Sequence, residues 1–312
     1  MESRVLLSVV VPSYNCAPWL ERAVASALSV DRTEIEVVVV DDGSVDETPA
    51  LCEKLRQRNS AIKVIRQPNR GLSAARNAGI DASIGEFIVL LDADDELIPF
   101  DTAQLRAFDG DMLRIGLEEV GVDGGIQRWT EEGSGEAGSA YLHRHLTAKS
   151  LYIPSCAYVY RRSFLNGNDL RFSPGLIHED MLFTVEALLK AACVRATSSL
   201  LYRYLRRTGS ITLQDSMAAV QRRVHSLTQI AQAVIDLSNQ CPNVDLWLWA
   251  KHVTDYAWTF AEASGSRRMG WQVLKMEWML LFRYRLWGLY RSRQSERWRL
   301  RKRFTQLILT WS

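Results

Sequence analysis

The chain has 312 residues, 47% hydrophobic and 24% charged, a balance that supports a sizeable packed core and excludes a disordered, collagen-like or disulfide-scaffold protein. Its five cysteines (Cys16, Cys52, Cys156, Cys193, Cys241) lie far apart without a CxxC, and its five histidines form no HExxH, which argues against a zinc site and for a reducing compartment. The net charge of +2 hides an asymmetry: residues 266–312 hold twelve Lys/Arg against two Asp/Glu, and residues 1–265 hold twenty-six against thirty-four.

In chain order, the apolar run Val5–Val11 meets Pro12 and an Asn-containing loop, not a signal-peptide cleavage site. Leu7–Val11, Glu36–Val40, Ile62–Ile65 and Phe87–Leu91 are apolar on both faces and read as buried parallel strands. Between them Leu20, Ala23, Val24, Ala27 and Leu28 share one helical face. Ser44 to Glu47 reads as a capping box opening a second helix, whose Leu51 and Leu55 would face the sheet. A third helix follows Gly71, capped by Ser73 and ended near Gly85. This alternation predicts an α/β fold, a Rossmann-like, mostly parallel sheet with helices on both faces.

Past residue 100, glycines 116, 121, 124, 125, 133, 135 and 138 punctuate strand-like pieces, read as a hairpin or mobile loop. Leu151–Tyr160 and Leu200–Leu205 read as strands, residues 179–192 as a helix, and the chain turns helical from Met217. No stretch of eighteen or more apolar residues lacks charge, so a membrane-spanning helix is not expected. The expectation is a cytoplasmic protein, peripheral on the cytoplasmic face of the inner membrane.

Ligands of open α/β sheets bind beyond the carboxyl ends of the strands. Here those ends carry Pro12-Ser13-Tyr14-Asn15, Asp41-Asp42-Gly43-Ser44 and Asp92-Ala93-Asp94-Asp95. An aromatic ring can stack on a base, a carboxylate can accept from an imide or ribose hydroxyl, and paired carboxylates can hold a hard cation against a diphosphate. Each piece alone also reads as a turn, a helix cap or a solvated strand terminus.

The segments SVVVPSYN, VVVVDDGSVDET, NRGLSAARNAG and EFIVLLDADDELIP, in this order and spacing, resemble the inverting family 2 glycosyltransferases of GT-A fold, the bacterial group that builds surface polysaccharides. YRRSFL, NDLRFSPGLIHEDMLF and LYRYLRRTGSIT extend the resemblance over residues 5–213. It implies a GT-A domain over 1–213, with a nucleotide half (1–100) and an acceptor half (101–213), followed by a helical region at 214–312, basic and Trp-rich from 266. It also implies a UDP-sugar donor, a divalent metal (Mn²⁺ or Mg²⁺), and a glycan or lipid-linked glycan acceptor of lipopolysaccharide, capsule or exopolysaccharide type. By that resemblance Pro12, Tyr14 and Asp41 form the uracil pocket, with Asn15 beside them, and Asn69, Gly71 and Arg76 flank the nucleotide or its phosphates. Asp94 and Asp92 match the DxD pair, Asp94 as direct metal ligand and Asp92 reaching the ribose or the metal through water. Arg207, rather than Arg206, is the candidate for the donor phosphates, with Ser210 in the same segment.

Inversion is a single displacement, so the acceptor hydroxyl must lose its proton as it attacks, and a positioned carboxylate can take it. Glu179-Asp180 matches the family's ED pair: Asp180 is the implied base, and Glu179 orients it or binds the acceptor. The same two acids also favour a helix N-terminus. His178 beside them reads either as a contact to substrate or metal or, the commoner role of a lone histidine, as a structural hydrogen-bonding residue. An NTP-using nucleotidyltransferase is the enzyme rival, but neither a GxxxxGK[ST] nor a GxGxxG loop is present; a scaffold with a decayed site is the non-enzyme rival.

Trp271–Tyr290 is apolar nearly all round a helical projection, and Arg291–Arg303 is dense in arginine. Membrane-surface docking through 266–312 and core packing or self-association into a homo-oligomer both fit. No spacing of aromatics suited to base stacking marks a nucleic-acid surface.

Overall fold

The computed structural model describes residues 5–30, 34–207, 216–241, 243–283 and 303. The strands are β1 (Leu7–Ser13), β2 (Ile35–Asp41), β3 (Ile62–Arg66), β4 (Phe87–Leu90), β5 (Glu96–Leu97), β6 (Met112–Val120), β7 (Ile126–Trp129), β8 (Gly133–Glu136), β9 (Tyr158–Arg161) and β10 (Val194–Leu205). The helices are α1 (Ala17–Leu28), α2 (Thr48–Arg58), α3 (Leu72–Ala82), α4 (Ala103–Arg106), α5 (Gly138–Ala148), α6 (Arg162–Gly167), α7 (Asp180–Lys190), α8 (Met217–Ser238), α9 (Leu246–Ser264) and α10 (Arg267–Arg283). The chain divides into two compact units, one of Met1–Tyr141, Tyr152–Gly175 and Phe183–Ser210, the other of Leu142–Leu151, Leu176–Leu182 and Ile211–Ser312.

All ten strands lie in the first unit and form one sheet, ordered β3-β2-β1-β4-β9-β6-β10-β5, with β7 on β6 and β8 on β10. Strands β3, β2, β1 and β4 are mutually parallel, and every residue of β1, β2 and β4 is buried. That is why the valine runs show no alternation: helices cover both faces of a parallel sheet. Register then sets the site. Ser13 pairs with Asp41 and Asp41 with Arg66, so three strands end level. β4 stops at Leu90, and Asp92 begins the turn beyond it.

Strand β9 enters antiparallel between β4 and β6, and it is short because the residues before it form a 3₁₀ turn at Ser155–Ala157 after Pro154, which has no N–H to pair. The strand expected over Leu151–Tyr160 is therefore only Tyr158–Arg161. β10 begins six residues earlier than expected, at Val194, and bulges between Ala196 and Leu200. The glycine-rich stretch is a hairpin, β7 against β6.

Two helix starts differ from expectation. Ser44 does not cap α2: its Oγ accepts from Asn15 N, and Asp46 Oδ1 accepts from Thr48 N, so the helix opens at Thr48 with Pro49 in its first turn. Ser73 lies inside α3, its buried Oγ without a hydrogen bond, and Gly71 at φ +86° takes the cap position. The helix ends at Ala82, while Gly85 donates its N–H to Ser8 Oγ on the sheet.

In the second unit α10 packs on α9 and α8. Ser216 Oγ caps α8 by accepting from Ala219 N, and Gly265 at φ +66° ends α9. The α10 helix is not apolar all round: Met269, Val273, Leu274, Met276 and Leu280 are buried, whereas Trp271 and Trp278 are half exposed. The remainder of the basic tail, residues 284–302 and 304–312, lies outside the described residues, as does Ser210. Among the described residues no helix is long and apolar enough to cross a membrane.

Candidate functional site

Three strand ends of the first unit carry the predicted nucleotide-binding residues. Pro12 is buried in β1, and Tyr14, 49% exposed, follows it. Asn15, at φ +49°, accepts through Oδ1 from Val45 N and donates its own N–H to Ser44 Oγ, which binds the first strand end to the second. Its side chain thus works on protein backbone.

Asp41 is 1% exposed. Its Oδ1 accepts from Ser44 N at 2.9 Å; its Oδ2 faces Arg66 Nε at 3.3 Å but receives no hydrogen bond. A buried carboxylate oxygen in that condition has acceptor capacity for a further N–H or O–H.

Asp42, given no role of its own within the DDGS strand end, clasps the next loop. It accepts from Gln67 Nε2 at 2.7 Å, Arg70 N at 2.9 Å and Gly71 N at 2.8 Å. Arg70 and Gly71 are therefore held through their backbone N–H groups, and Asn69, between them and the clasped Gln67, is exposed like Gly71. Gly43, at φ +75°, lets the two loops touch: a Cβ there would stand 2.6 Å from Asn69 N. The second acid of the DDGS stretch was the available signal, but its partners lie 25 to 29 residues on.

The third strand end concentrates charge. Arg76 is 2% exposed, with Nη2 2.9 Å from Asp92 Oδ1 and its guanidinium 5.1 Å from the Phe172 ring centre. Asp94 Oδ2 receives Arg207 Nε at 2.5 Å, and Arg207 lies over the Trp19 ring at 4.1 Å. Arg206 pairs instead with Glu119. Asp95 is buried and accepts from Tyr202 Oη at 2.7 Å and Leu205 N at 2.8 Å, which ties β10 to the acidic turn two residues before Arg207. Burial first, then the Asp92 charge, holds the Asp95 carboxyl well above the usual carboxylate range.

Asp92 and Asp94 are hard oxygen donors, and their side chains are 32% and 28% exposed. Among the described residues no cluster of three or more His, Cys, Asp or Glu side chains is gathered around a metal position. The donor set fits a Mg²⁺-like cation all the same, because such an ion is usually held by one or two carboxylates plus the oxygens of a phosphate ligand.

Glu179, Asp180 and His178 belong to the second unit. Glu179 is buried and Asp180 opens α7, its carboxylate in the first turn. His178 precedes them at φ +65° and packs edge-on to Tyr256, with ring centres 5.4 Å apart, and on Phe260 at 6.3 Å. Its Nε2 makes no hydrogen bond, contrary to the structural hydrogen bond expected of it. Burial first and the Arg223 charge second push its pKa down to about 4.

Residues 8–164 match the model of glycosyl transferase family 2. The chain belongs to that family. It is 26% identical over 230 residues to the uncharacterized glycosyltransferase YibD of Escherichia coli K12, covering 68% of this chain and 64% of that one. It is 31% identical over 205 residues to the poly(ribitol-phosphate) beta-N-acetylglucosaminyltransferase TarS of Staphylococcus aureus Mu50, covering 63% of this chain and 35% of TarS. These curated relatives are thus matched over less than two thirds of their length. The crystal structure of TarS 1–349 in complex with UDP aligns with a TM-score of 0.59 at 25% identity, over 82% of this chain and 71% of that one. The family 2 chain described here has the GT-A fold expected from its strand order and motifs.

Proposed function

We propose that this family 2 protein is a metal-dependent inverting glycosyltransferase. It moves a hexose or N-acetylhexosamine from a UDP-sugar to a hydroxyl of a lipopolysaccharide, capsule or exopolysaccharide glycan, on the cytoplasmic face of the membrane that carries the acceptor. The observation that carries the reading is the placement of Asp41 at the end of β2 and of Asp92 and Asp94 just beyond β4, with Arg76 of α3 paired to Asp92 and Arg207, after β10, paired to Asp94. Relatedness to TarS, solved with UDP, supports the choice of nucleotide.

In this reading Asp41 Oδ2 accepts from the uracil imide and Tyr14 stacks on the base beside Pro12. Asn69 and Gly71, on the loop that Asp42 clasps through Gln67, Arg70 N and Gly71 N, border the nucleotide. Asp94, with Asp92, holds the divalent cation, which when bound neutralises charge on the leaving diphosphate. Arg207 turns from Asp94 to the phosphates as they enter, and Arg76 keeps Asp92 in place. Asp180 takes the acceptor proton, with Glu179 as its support; this assignment rests on the motif resemblance.

A panel of UDP-sugars incubated with Mn²⁺ and a lipid-linked glycan extract tests the reading. Release of UDP, with the product anomer inverted by NMR, is expected. Pyrophosphate release, or no turnover of any sugar nucleotide, would overturn it.

A further inference from the structure

We infer that the outward face of α10 docks this chain on an anionic phospholipid surface. The helix separates cleanly. Its buried positions face the helices α8 and α9, while Arg267, Arg268, Trp271, Gln272, Lys275 and Trp278 are exposed. At 3.6 residues per turn these six fall within one arc of about 140°. Trp271 and Trp278, 49% and 48% exposed, stand two turns apart on that arc, between Arg267 on one side and Lys275 and Arg268 on the other.

Charge complementarity names the occupant. The α10 sequence contains a single acid, Glu277, and it faces inward, 3% exposed, where it pairs with Arg303. Arg303 also binds Asp255 Oδ1 at 2.8 Å and covers the Trp258 ring at 4.8 Å. Among the described side chains the helix's one acid is thus turned inward, while Arg267, Arg268 and Lys275 are exposed. Exposed tryptophans in a soluble surface cost hydration, whereas at a bilayer interface the indole body enters the acyl boundary and its N–H meets the headgroups. Basic residues beside such anchors draw the helix to anionic lipid, and the binding strength follows both terms. A nucleic-acid ligand would call for a basic groove, which one convex helix face does not provide.

The test is sedimentation of the full chain with vesicles of phosphatidylcholine alone or mixed with phosphatidylglycerol. The chain is expected to sediment with the anionic vesicles only, and less as salt rises. Substituting Arg267→Gln, Arg268→Gln and Lys275→Gln together is expected to lower partitioning about a hundredfold, from roughly fivefold per cation, with the melting temperature unchanged. As a second readout, brominated lipid should quench wild-type tryptophan emission, and Trp271→Phe with Trp278→Phe should remove most of that quenching. Failure to sediment, equal binding to neutral vesicles, undiminished binding by the face variants, or a loss of self-association or RNA retention in their place would each overturn the proposal. The assay contains no sugar nucleotide, so its outcome is independent of the transfer reading.

Discussion

Arg207 Nε lies 2.5 Å from Asp94 Oδ2, with the guanidinium stacked 4.1 Å over Trp19. The pair joins the end of β10 to the acidic turn beyond β4, and it sets the proposed cation-binding acid and the proposed phosphate-binding base in one contact. A diphosphate with its metal can substitute for both halves of that ion pair without leaving either charge alone. Arg207→Ala is expected to lower kcat/KM for the UDP-sugar by about 10- to 100-fold, the range for losing a charged hydrogen bond, and to leave the melting temperature nearly unchanged because the pair is partly exposed. Steady-state kinetics with and without added guanidinium would show it; wild-type kinetics would remove Arg207 from the site.

The Asp42 clasp makes a different kind of prediction. Asp42→Ala strips partners from Gln67, Arg70 N and Gly71 N at once, so the 67–71 loop should lose its fixed shape. UDP affinity is expected to fall at least tenfold, and stability by about 0.5–1.5 kcal/mol per hydrogen bond lost, since water can reach the exposed Arg70 and Gly71. Asp42→Asn, which retains one acceptor, should lie between. Calorimetric titration with UDP beside thermal melts would separate the two effects, and wild-type UDP affinity in Asp42→Ala would refute the positioning role.

Two glycines of positive φ should behave unequally. Gly43→Ala would place its methyl 2.6 Å from Asn69 N, while at Gly71 nothing lies within 4 Å. Gly71→Ala should cost about 1–3 kcal/mol from its backbone alone, since φ +86° with ψ 166° is a conformation essentially restricted to glycine; Gly43→Ala adds a clash to its positive φ and should displace the Asn69 loop. Equal melting temperatures would contradict the close approach.

His178 gives a pH prediction. Its folded pKa is pushed down to about 4, whereas the unfolded chain takes up that proton near pH 6.5. Protonation therefore favours the unfolded chain, and stability is lost as pH falls from about 6.5 toward 4. His178→Asn tolerates the left-handed backbone and does not titrate, so it should lose less stability than the wild type between pH 7 and pH 5. Denaturant midpoints at the two pH values would show this; a parallel loss in both proteins would mean the ring is not held neutral.

The strands β1, β2 and β4 were legible to within two residues because a buried parallel strand is an uninterrupted apolar run, a purely local signal; β3, at the sheet edge with only Ile62 buried, differs from the buried strand expected and was legible from its β-branched residues. Helix starts were less so. Ser44 looked like a cap by spacing, yet Asn15 N, 29 residues away, competes for its oxygen. The antiparallel β9 depends on pairing with β4 and β6 across more than forty residues, which no local pattern encodes. In the candidate site, Asp41, Asp92 and Asp94 lie at or just beyond strand ends, with Arg76 of α3 and Arg207 paired to the latter two. Asp42 and Asp95 are visible in the sequence as strand-end acids, but their roles as clasps, like those of Tyr202 and Trp19, arise from contacts closed only by the fold.

Asp94 is the proposed point where nucleotide and cation meet. The most direct test is isothermal titration of the intact chain with UDP, with and without Mn²⁺, beside Asp94→Ala. The account predicts metal-dependent UDP binding that Asp94→Ala abolishes while the melting temperature stays near that of the wild type. Tight UDP binding without metal, equal in Asp94→Ala, would contradict it.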